Sequence, residues 1–303
     1  MKAYTSNNIR NIAVLGHGGK GKTTLCEAML YIAGASDRLG RVADGNTVLD
    51  FDSEEKRRKS SVSSAIAALE WDNTKLNIID APGLFDFEGG AAEAVRAAEA
   101  VLIVTSAGSG VDVGTEKAFR AAEKKGAAKF FAVTKTDSDH RNFYKTFDAL
   151  KEVYGNKLCP TIIPYMEGNI TKCYVNLMTG MAFSYDENGK ATKVPVPEDS
   201  VIEEMTSAFM EAVATTDDAL MEKFFEGEKF TKEEILKGLC IGIFDGSIYP
   251  VYAVSGLTCA GVDQLLYGLA WSAPGAFGYA GEKCTYENGE EGILPCDENG
   301  PLA

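Results

Sequence analysis

A glycine-rich stretch near the N-terminus, GHGGKGKT, fits the pattern G-x-x-x-x-G-K-[ST]. It follows the apolar run NIAVL and opens the helical run TTLCEAML, which is the context that a phosphate-binding loop needs and an ordinary glycine-rich turn does not. In such a loop, backbone N–H groups surround phosphate oxygens, and the helix N-terminus favours negative charge. The predicted phosphate-binding residues are Gly16, His17, Gly18, Gly19, Lys20, Gly21, Lys22, Thr23 and Thr24.

Four residues, two in this loop and two further along the chain, are predicted to act on the terminal phosphate or its Mg²⁺ ion. The Lys22 ammonium can reach β and γ oxygens, and the Thr23 hydroxyl can bind Mg²⁺. About sixty residues later DAPG ends another apolar run. There the Asp80 carboxylate can hold Mg²⁺ through water, and the Gly83 amide can meet a γ-phosphate. By itself D-x-P-G is also an ordinary turn. The prediction for Asp80 and Gly83 therefore depends on the position of this motif after the phosphate-binding loop and at the end of an apolar run. We predict Lys22 and Gly83 as the catalytic residues.

Two later motifs predict recognition of the base. TKTD follows the apolar run 129–133, and its Asp137 carboxylate can accept two N–H donors of guanine while the Lys135 stem packs on the ring. Adenine matches a carboxylate poorly because its N1 carries no hydrogen, which argues against the alternative of a P-loop ATPase. SGL follows the run 250–254 and can offer a backbone N–H to the guanine carbonyl. The predicted base-binding residues are Thr134, Lys135, Asp137, Ser255, Gly256 and Leu257.

Short apolar runs alternate with helical stretches over the first half of the chain and again near residue 250. Continuous apolar runs are typical of strands buried on both faces of a parallel sheet. The alternation predicts an α/β fold, a doubly wound, mostly parallel sheet of the P-loop type. The predicted strands are 12–15, 76–80, 101–105, 129–134 and 250–254. The predicted helices are 22–33, 89–100, 114–125, 140–154 and 261–269.

The alternation breaks at about residue 159. Short strands are predicted at 161–166, 171–177, 181–185 and 191–194, followed by helices at 201–213, 217–226 and 232–240. This stretch holds sixteen Asp or Glu against seven Lys and no Arg, a net charge of −9. We therefore predict an inserted, acidic α+β subdomain with little part in nucleotide binding. The predicted units are 1–158 with 247–278 as the nucleotide domain, 159–246 as the insert, and 279–303 as a linker with the truncated start of a following β domain.

Charge and composition exclude several classes of protein. The 303 residues have a net charge of −14, and an acidic chain is a poor ligand for nucleic-acid backbones, so no DNA partner is expected. No apolar run reaches the roughly 18 residues of a membrane span. Seven dispersed cysteines without a CxxC pattern indicate buried thiols in a reducing compartment. These features predict a cytoplasmic monomer without a membrane partner.

The order of the motifs resembles translation elongation factor G, and more closely its divergent elongation factor G-like branch. The segments that carry the resemblance are GHGGKGKTT, DFDSEEKRRKSSVSSAIAALEW, DAPGLFDFEG, SGVDVGTEKAFR, TKTD, the end of the insert EAVATTDDALMEKFFEGEKFTKEE, and YPVYAVSGLTCAGVDQLL. The resemblance runs from about residue 8 to the end. It implies that the chain is the GTP-binding portion, with its inserted subdomain, of a longer factor.

The resemblance implies roles and also marks departures. Ser61 stands where the family has the switch threonine that completes Mg²⁺ coordination, and Asp80 and Gly83 belong to the second switch. Thr134 replaces an asparagine whose amide braces the loop and the base, so we expect this brace to be lost. Leu84 replaces the family's histidine after D-x-P-G and cannot position a water. The metal ligands implied are Thr23, Ser61 and Asp80.

We therefore expect a GTPase (GTP to GDP and phosphate) that is slow without the ribosome, with GTP or GDP and Mg²⁺ as ligands. The resemblance implies a ribosome partner, reached through the acidic insert at the stalk protein and through the basic run 56–59 at ribosomal RNA. Two alternatives remain open. One is a GTP-dependent ribosome-binding switch with little hydrolysis, and the other is a different ribosomal GTPase, such as a termination or ribosome-protection factor.

Overall fold

The computed structural model describes residues 2–138, 142–168, 170–278, 281–294 and 300. Within these residues, ten strands form one sheet in the order β2-β3-β1-β4-β5-β10-β6-β7-β8-β9. The strands are β1 Ile9–Leu15, β2 Ala65–Trp71, β3 Thr74–Asp80, β4 Ala100–Ser106, β5 Ala128–Thr134, β6 Leu158–Glu167, β7 Ile170–Asn176, β8 Met181–Tyr185, β9 Ala191–Val194 and β10 Tyr249–Ala253. Neighbours from β3 through β6 run parallel, whereas β2 and β7 to β9 are antiparallel to their neighbours.

The helices cover both faces of this sheet. Helix α1 packs on α9, and α3 packs on α4. The helices are α1 Lys22–Ile32, α2 Ser53–Arg58, α3 Glu88–Arg96, α4 Val113–Lys125, α5 Phe143–Tyr154, α6 Ser200–Ala214, α7 Asp218–Glu226, α8 Lys232–Asp245 and α9 Val262–Ser272. The α/β prediction is confirmed. Residues 140 and 141 of the predicted helix 140–154 lie outside the described residues.

The central strands explain why the apolar runs predicted them. Every residue of β4 and of β5 is buried, because helices cover both faces of the sheet there. Parallel strands end at a common edge, and ligands of open α/β sheets bind there. The phosphate-binding loop follows β1, DAPG includes the end of β3, TKTD includes the end of β5, and SGL follows β10. The fold therefore brings all four motifs to one edge.

The strands of the 159–246 stretch continue the same sheet. β6 pairs in parallel with β10, and β7, β8 and β9 extend the sheet by antiparallel pairing. A hairpin at 186–189 connects β8 to β9. The division of the chain into a nucleotide domain and an insert remains a prediction. In the predicted tail, β11 Glu282–Thr285 and β12 Glu291–Leu294 form a separate two-stranded antiparallel sheet.

Several local features differ from the sequence predictions. Strand β2 and helix α2 lie in a stretch for which no element was predicted. Cys240 is exposed, contrary to the expectation of buried thiols, whereas Cys26, Cys159, Cys173 and Cys259 are buried. No helix in the described part of the chain is long and apolar enough to span a membrane.

Candidate functional site

The loop after β1 closes around the side chain of Lys22. Its ammonium donates hydrogen bonds to the carbonyls of Gly16 at 2.9 Å and His17 at 3.0 Å. A Cβ on Gly16 would lie 2.2 Å from the Val104 carbonyl oxygen, and the φ of Gly16 is +141°, so only glycine fits there. The N-cap of α1 is Gly21, which has no side chain to satisfy the first helical N–H groups. A lysine ammonium and free helical N–H groups at one point form a site for an anion.

The predicted base-recognition loop, residues 134–137, is tied to the phosphate-binding loop by two side chains. Thr134 Oγ1 donates to the Lys20 carbonyl at 2.6 Å, and Lys135 Nζ donates to the Gly19 carbonyl at 2.7 Å. For the loop, the expectation that replacing asparagine by Thr134 loses the brace is therefore wrong, because the hydroxyl reaches the loop; for the base it stays a prediction. The Lys20 side chain bonds instead to Ser109 Oγ at 2.9 Å and pairs with Asp112 at 3.1 Å. Lys20 thus contributes its backbone to the loop, while its side chain binds the segment before α4.

The three predicted metal ligands converge behind this loop. Thr23 Oγ1 donates to Asp80 Oδ2 at 2.6 Å and lies 3.0 Å from Ser61 Oγ. All three residues are buried, and Asp80 Oδ1 has no hydrogen-bond partner among the described residues. Burial raises the pKa of Asp80 to about 7. Two hydroxyls beside a buried carboxylate with a free oxygen are hard oxygen donors, and they fit a Mg²⁺ ion that keeps water in its other positions.

Three buried carboxylates that the sequence analysis missed hold the segment around Ser61 in place. Ser61 Oγ donates to Asp50 Oδ1 at 2.7 Å. Glu27 Oε1 accepts from the amides of Val48 and Leu49, at 2.7 and 3.0 Å, and Glu55 Oε1 accepts from those of residues 62 and 63. The sequence signal that could have found them is an acidic residue inside an otherwise apolar run, such as Glu27 in TTLCEAML. A residue in such a run is expected to be buried, and a buried charge needs partners.

The DAPG segment lies directly against the phosphate-binding loop. A Cβ on Gly83 would lie 2.1 Å from Lys22 Nζ, and a Cβ on Gly18 would lie 3.0 Å from Leu84 Cδ2. Leu84, which is 40% exposed, therefore covers Gly18. An apolar cavity of about 330 Å³ beside it is lined by Gly16, Gly83, Leu84 and Phe85, among others. An aliphatic side chain with no polar atom therefore lies against the phosphate-binding loop.

The His17 side chain points to residues outside the loop. Its ring packs edge-on against Phe85, with ring centroids 5.5 Å apart, and its Nδ1 lies 3.9 Å from Asp112 Oδ1. The backbone carbonyl of His17 is the group that contacts Lys22. His17 thus contributes to the loop through its backbone.

The two base motifs lie side by side. Asp137 is exposed at the end of the β5 loop, and Thr136 Oγ1 donates to the Val254 carbonyl at 3.0 Å, just before the second motif. In that motif, Ser255 Oγ accepts from the Thr258 amide at 3.1 Å, and Leu257 is 52% exposed. A Cβ on Gly256 would lie 3.1 Å from the backbone of Thr24 and Leu25, so this loop rests on the start of α1. The predicted base-binding residues therefore form a continuous rim next to the phosphate loop.

A phosphate loop, a carboxylate at the end of β3 and two base loops on one sheet edge define a P-loop GTPase fold. Residues 7–274 match the family described as the elongation factor Tu GTP binding domain, and the chain belongs to this family. The resemblance seen in the motifs is thereby confirmed.

Similar proteins agree with this assignment. Two proteins named elongation factor G-like protein, from Mycobacterium tuberculosis strains CDC 1551 / Oshkosh and ATCC 25618 / H37Rv, are each 31% identical over 97% of this chain and 41% of their own length. A crystal structure of a protein from Thermus thermophilus superposes with a TM-score of 0.84 at 31% identity, covering 95% of this chain and 48% of that one. The chain thus spans less than half the length of each of these proteins.

Proposed function

We propose that this chain binds GTP and GDP together with Mg²⁺. The observation that carries the proposal is the hydrogen-bonded connection between the base loop and the phosphate loop through Thr134 and Lys135. Asp137 would read the guanine edge, Lys135 and Leu257 would flank the ring, and the loop at 16–24 would hold the phosphates. A carboxylate that pairs with guanine N–H groups discriminates strongly against bases lacking them, because buried polar groups would remain unpaired.

We further propose that Thr23, Ser61 and Asp80 hold the Mg²⁺ ion. When bound, the ion would stabilise negative charge on the phosphate oxygens. Lys22 would add a second positive charge, and the Gly83 amide would orient the terminal phosphate. The close approach of Gly83 supports this arrangement, since an added Cβ would lie 2.1 Å from Lys22 Nζ and 2.9 Å from the backbone nitrogen of Gly18 and would displace one or the other.

Hydrolysis by the chain alone is proposed to be slow. Phosphoryl transfer to water depends on placing the water in line and on stabilising charge. Lys22 and the metal residues serve the second requirement. Leu84 has no atom that can hold a water, and Gly18 beneath it has no side chain. We expect turnover on the order of 10⁻⁴ per second or slower, the scale of an unassisted GTPase.

A second candidate function is a nucleotide-dependent binding switch with little hydrolysis. The observation that favours it is the position of Leu84 over Gly18, which covers the loop with an aliphatic side chain. Such a protein would still change shape between GTP and GDP, because the 47–63 segment supplies Ser61 and the DAPG segment supplies Asp80 to the proposed Mg²⁺ site.

We infer that the intact protein acts in the cytoplasm on the ribosome in a translocation-like step, with this chain as a monomeric nucleotide-binding part. Family membership and the names of the relatives support this. The surface also supports it: Arg57 and Arg58 on α2 are half or more exposed and suit RNA phosphates, and the acidic 159–246 stretch suits a stalk protein. A termination or ribosome-protection factor would use the same surfaces.

Two measurements test the proposed function. Titration calorimetry with GTP, GDP and ATP, each with and without Mg²⁺, should give guanine nucleotide affinities that exceed that of ATP by about 10⁴-fold. Equal affinities for GTP and ATP would contradict the proposal. Single-turnover hydrolysis with and without ribosomes then separates the two candidates, because a ribosome-stimulated rate identifies the GTPase and an unchanged rate identifies the switch.

A further inference from the structure

Strand β7 of the 159–246 stretch lies against the base-recognition loop. Tyr174 on this strand is 4% exposed, and its hydroxyl lies 2.8 Å from Thr136 Oγ1. Thr171, three residues earlier, donates from its hydroxyl to the Thr136 backbone carbonyl at 2.9 Å. Thr136 is thus held twice by one strand, through its side chain and through its backbone.

The direction of the hydrogen bonds follows from the groups present. Thr136 Oγ1 also lies 3.0 Å from the Val254 carbonyl, which can only accept. The single hydroxyl hydrogen of Thr136 therefore goes to Val254, and Tyr174 donates to Thr136. These two hydrogen bonds, from Tyr174 to Thr136 and from Thr136 to Val254, form a relay. It connects β7 through the base loop after β5 to the residue that follows β10, next to Ser255 of the second base motif.

The Tyr174 ring is itself fixed from two sides. It packs edge-on against Tyr185, with ring centroids 5.5 Å apart, and the Tyr185 hydroxyl donates to Asp263 Oδ1 at 2.6 Å. Gly261 lies near the same ring, since a Cβ built on it would be 3.5 Å from Tyr174 Cδ1. Burial also keeps the pKa of Tyr174 well above its usual value, so the hydroxyl remains a donor.

The relay lies next to the residue that would read the base. Asp137 directly follows Thr136 and, with Thr171, Tyr174 and Tyr185, lines one cavity of about 300 Å³. Asp137 is exposed, so its orientation depends on the backbone that carries it. Lys135, on the other side of Thr136, has a φ of +60°, a conformation that an L-residue adopts only where its surroundings impose it.

We propose that Tyr174 is a positioning residue for guanine recognition: its hydrogen bond to Thr136 holds the base loop so that Asp137 can accept both N–H donors of the base. The inference rests on the proposed guanine site and gives the 159–246 stretch a role in base selectivity. This changes the expectation that the stretch has little part in nucleotide binding.

The test compares GDP with IDP, whose base lacks the exocyclic amine of guanine and so offers Asp137 one donor fewer. Calorimetry on Tyr174→Phe should show GDP affinity reduced by about 2- to 12-fold, the value of one hydrogen bond. IDP affinity should fall less, so that the GDP-to-IDP ratio also falls, while pyrophosphate with Mg²⁺ should bind as it does to wild type. Tyr185→Phe is the matched control, because it removes a neighbouring hydroxyl that bonds to Asp263 and not to the base loop.

Thr136 provides a second, independent pair of variants. Thr136→Ser keeps the hydroxyl and should keep the wild-type ratio, whereas Thr136→Val should lower it as Tyr174→Phe does. If wild type binds GDP selectively but neither Tyr174→Phe nor Thr136→Val changes the ratio, the positioning role is refuted while the guanine site stands. If wild type does not bind GDP at all, the proposed function and this inference both fail.

Discussion

Removing the hydroxyl of Thr134 tests the link between the phosphate-binding loop and the base loop. Thr134 is 2% exposed, and its Oγ1 lies 2.6 Å from the Lys20 carbonyl and 2.9 Å from the Thr105 carbonyl. A threonine has one hydroxyl hydrogen, so it donates to one of these carbonyls at a time. Thr134→Val keeps the shape of the side chain and removes that hydrogen.

The cost of this change depends on the two acceptors, of which Thr105 is fully buried and Lys20 is partly buried. A buried carbonyl that loses its donor costs about 1–3 kcal/mol. At about 2 °C per kcal/mol for a chain of this size, the melting temperature should fall by roughly 2–6 °C. Without the hydrogen bond from Thr134 to the Lys20 carbonyl, the phosphate loop is no longer held in position relative to the base loop. GDP should therefore also dissociate faster from Thr134→Val than from wild type.

Differential scanning calorimetry and stopped-flow release of a fluorescent GDP analogue measure the two effects. Thr134→Ser is the matched control, since it keeps the hydroxyl and should release nucleotide at nearly the wild-type rate. A Thr134→Val protein that melts with wild type and releases GDP at the same rate would refute the reasoning that this hydroxyl braces the loop.

Three further changes probe other parts of the site. Gly83→Ala would place a Cβ 2.1 Å from Lys22 Nζ, so we expect GTP affinity to fall at least 10-fold in calorimetry while the circular dichroism spectrum stays that of wild type; unchanged affinity would contradict the close approach. Burial raises the pKa of Glu27, so the folded protein keeps a proton that the unfolded chain releases, and stability falls as pH rises above the ordinary value of 4.5. Glu27→Gln keeps an acceptor for Val48 and Leu49 and should flatten that slope in urea unfolding; an equal slope would rule out Glu27 as its source. Leu84→His should leave ribosome-free turnover within a few-fold of wild type, because an imidazole without a partner is not held in place; a large increase would show that the side chain at this position alone limits the rate.

The sequence predicted those features that are written locally in the chain. The phosphate loop and TKTD are short motifs between an apolar strand and a helix or loop, and the parallel strands are continuous apolar runs, so pattern and context suffice. Strand β2 was missed because it is an edge strand in which Ile66 is 70% exposed, so its pattern does not alternate cleanly.

Contacts between distant residues were beyond sequence reasoning. The bond from Ser61 to Asp50 and the relay from Tyr174 to Thr136 depend on strand register and side-chain direction, which no local pattern encodes. Thr134 illustrates the same limit, since a comparison with asparagine suggested a lost contact. The fold instead brings the hydroxyl within 2.6 Å of the Lys20 carbonyl.

The central claim is that Asp137 recognises guanine, and exchanging its carboxylate for an amide tests this claim most directly. Asp137→Asn replaces an acceptor for the guanine N–H groups by a side chain that can also donate, as the additional carbonyl of xanthine requires. Calorimetry of wild type and variant with GDP and XDP should show a reversal: wild type binds GDP far more tightly than XDP, and Asp137→Asn prefers XDP. A variant that keeps its preference for GDP, or a wild type that does not discriminate between the two, would contradict the assignment of guanine recognition to Asp137.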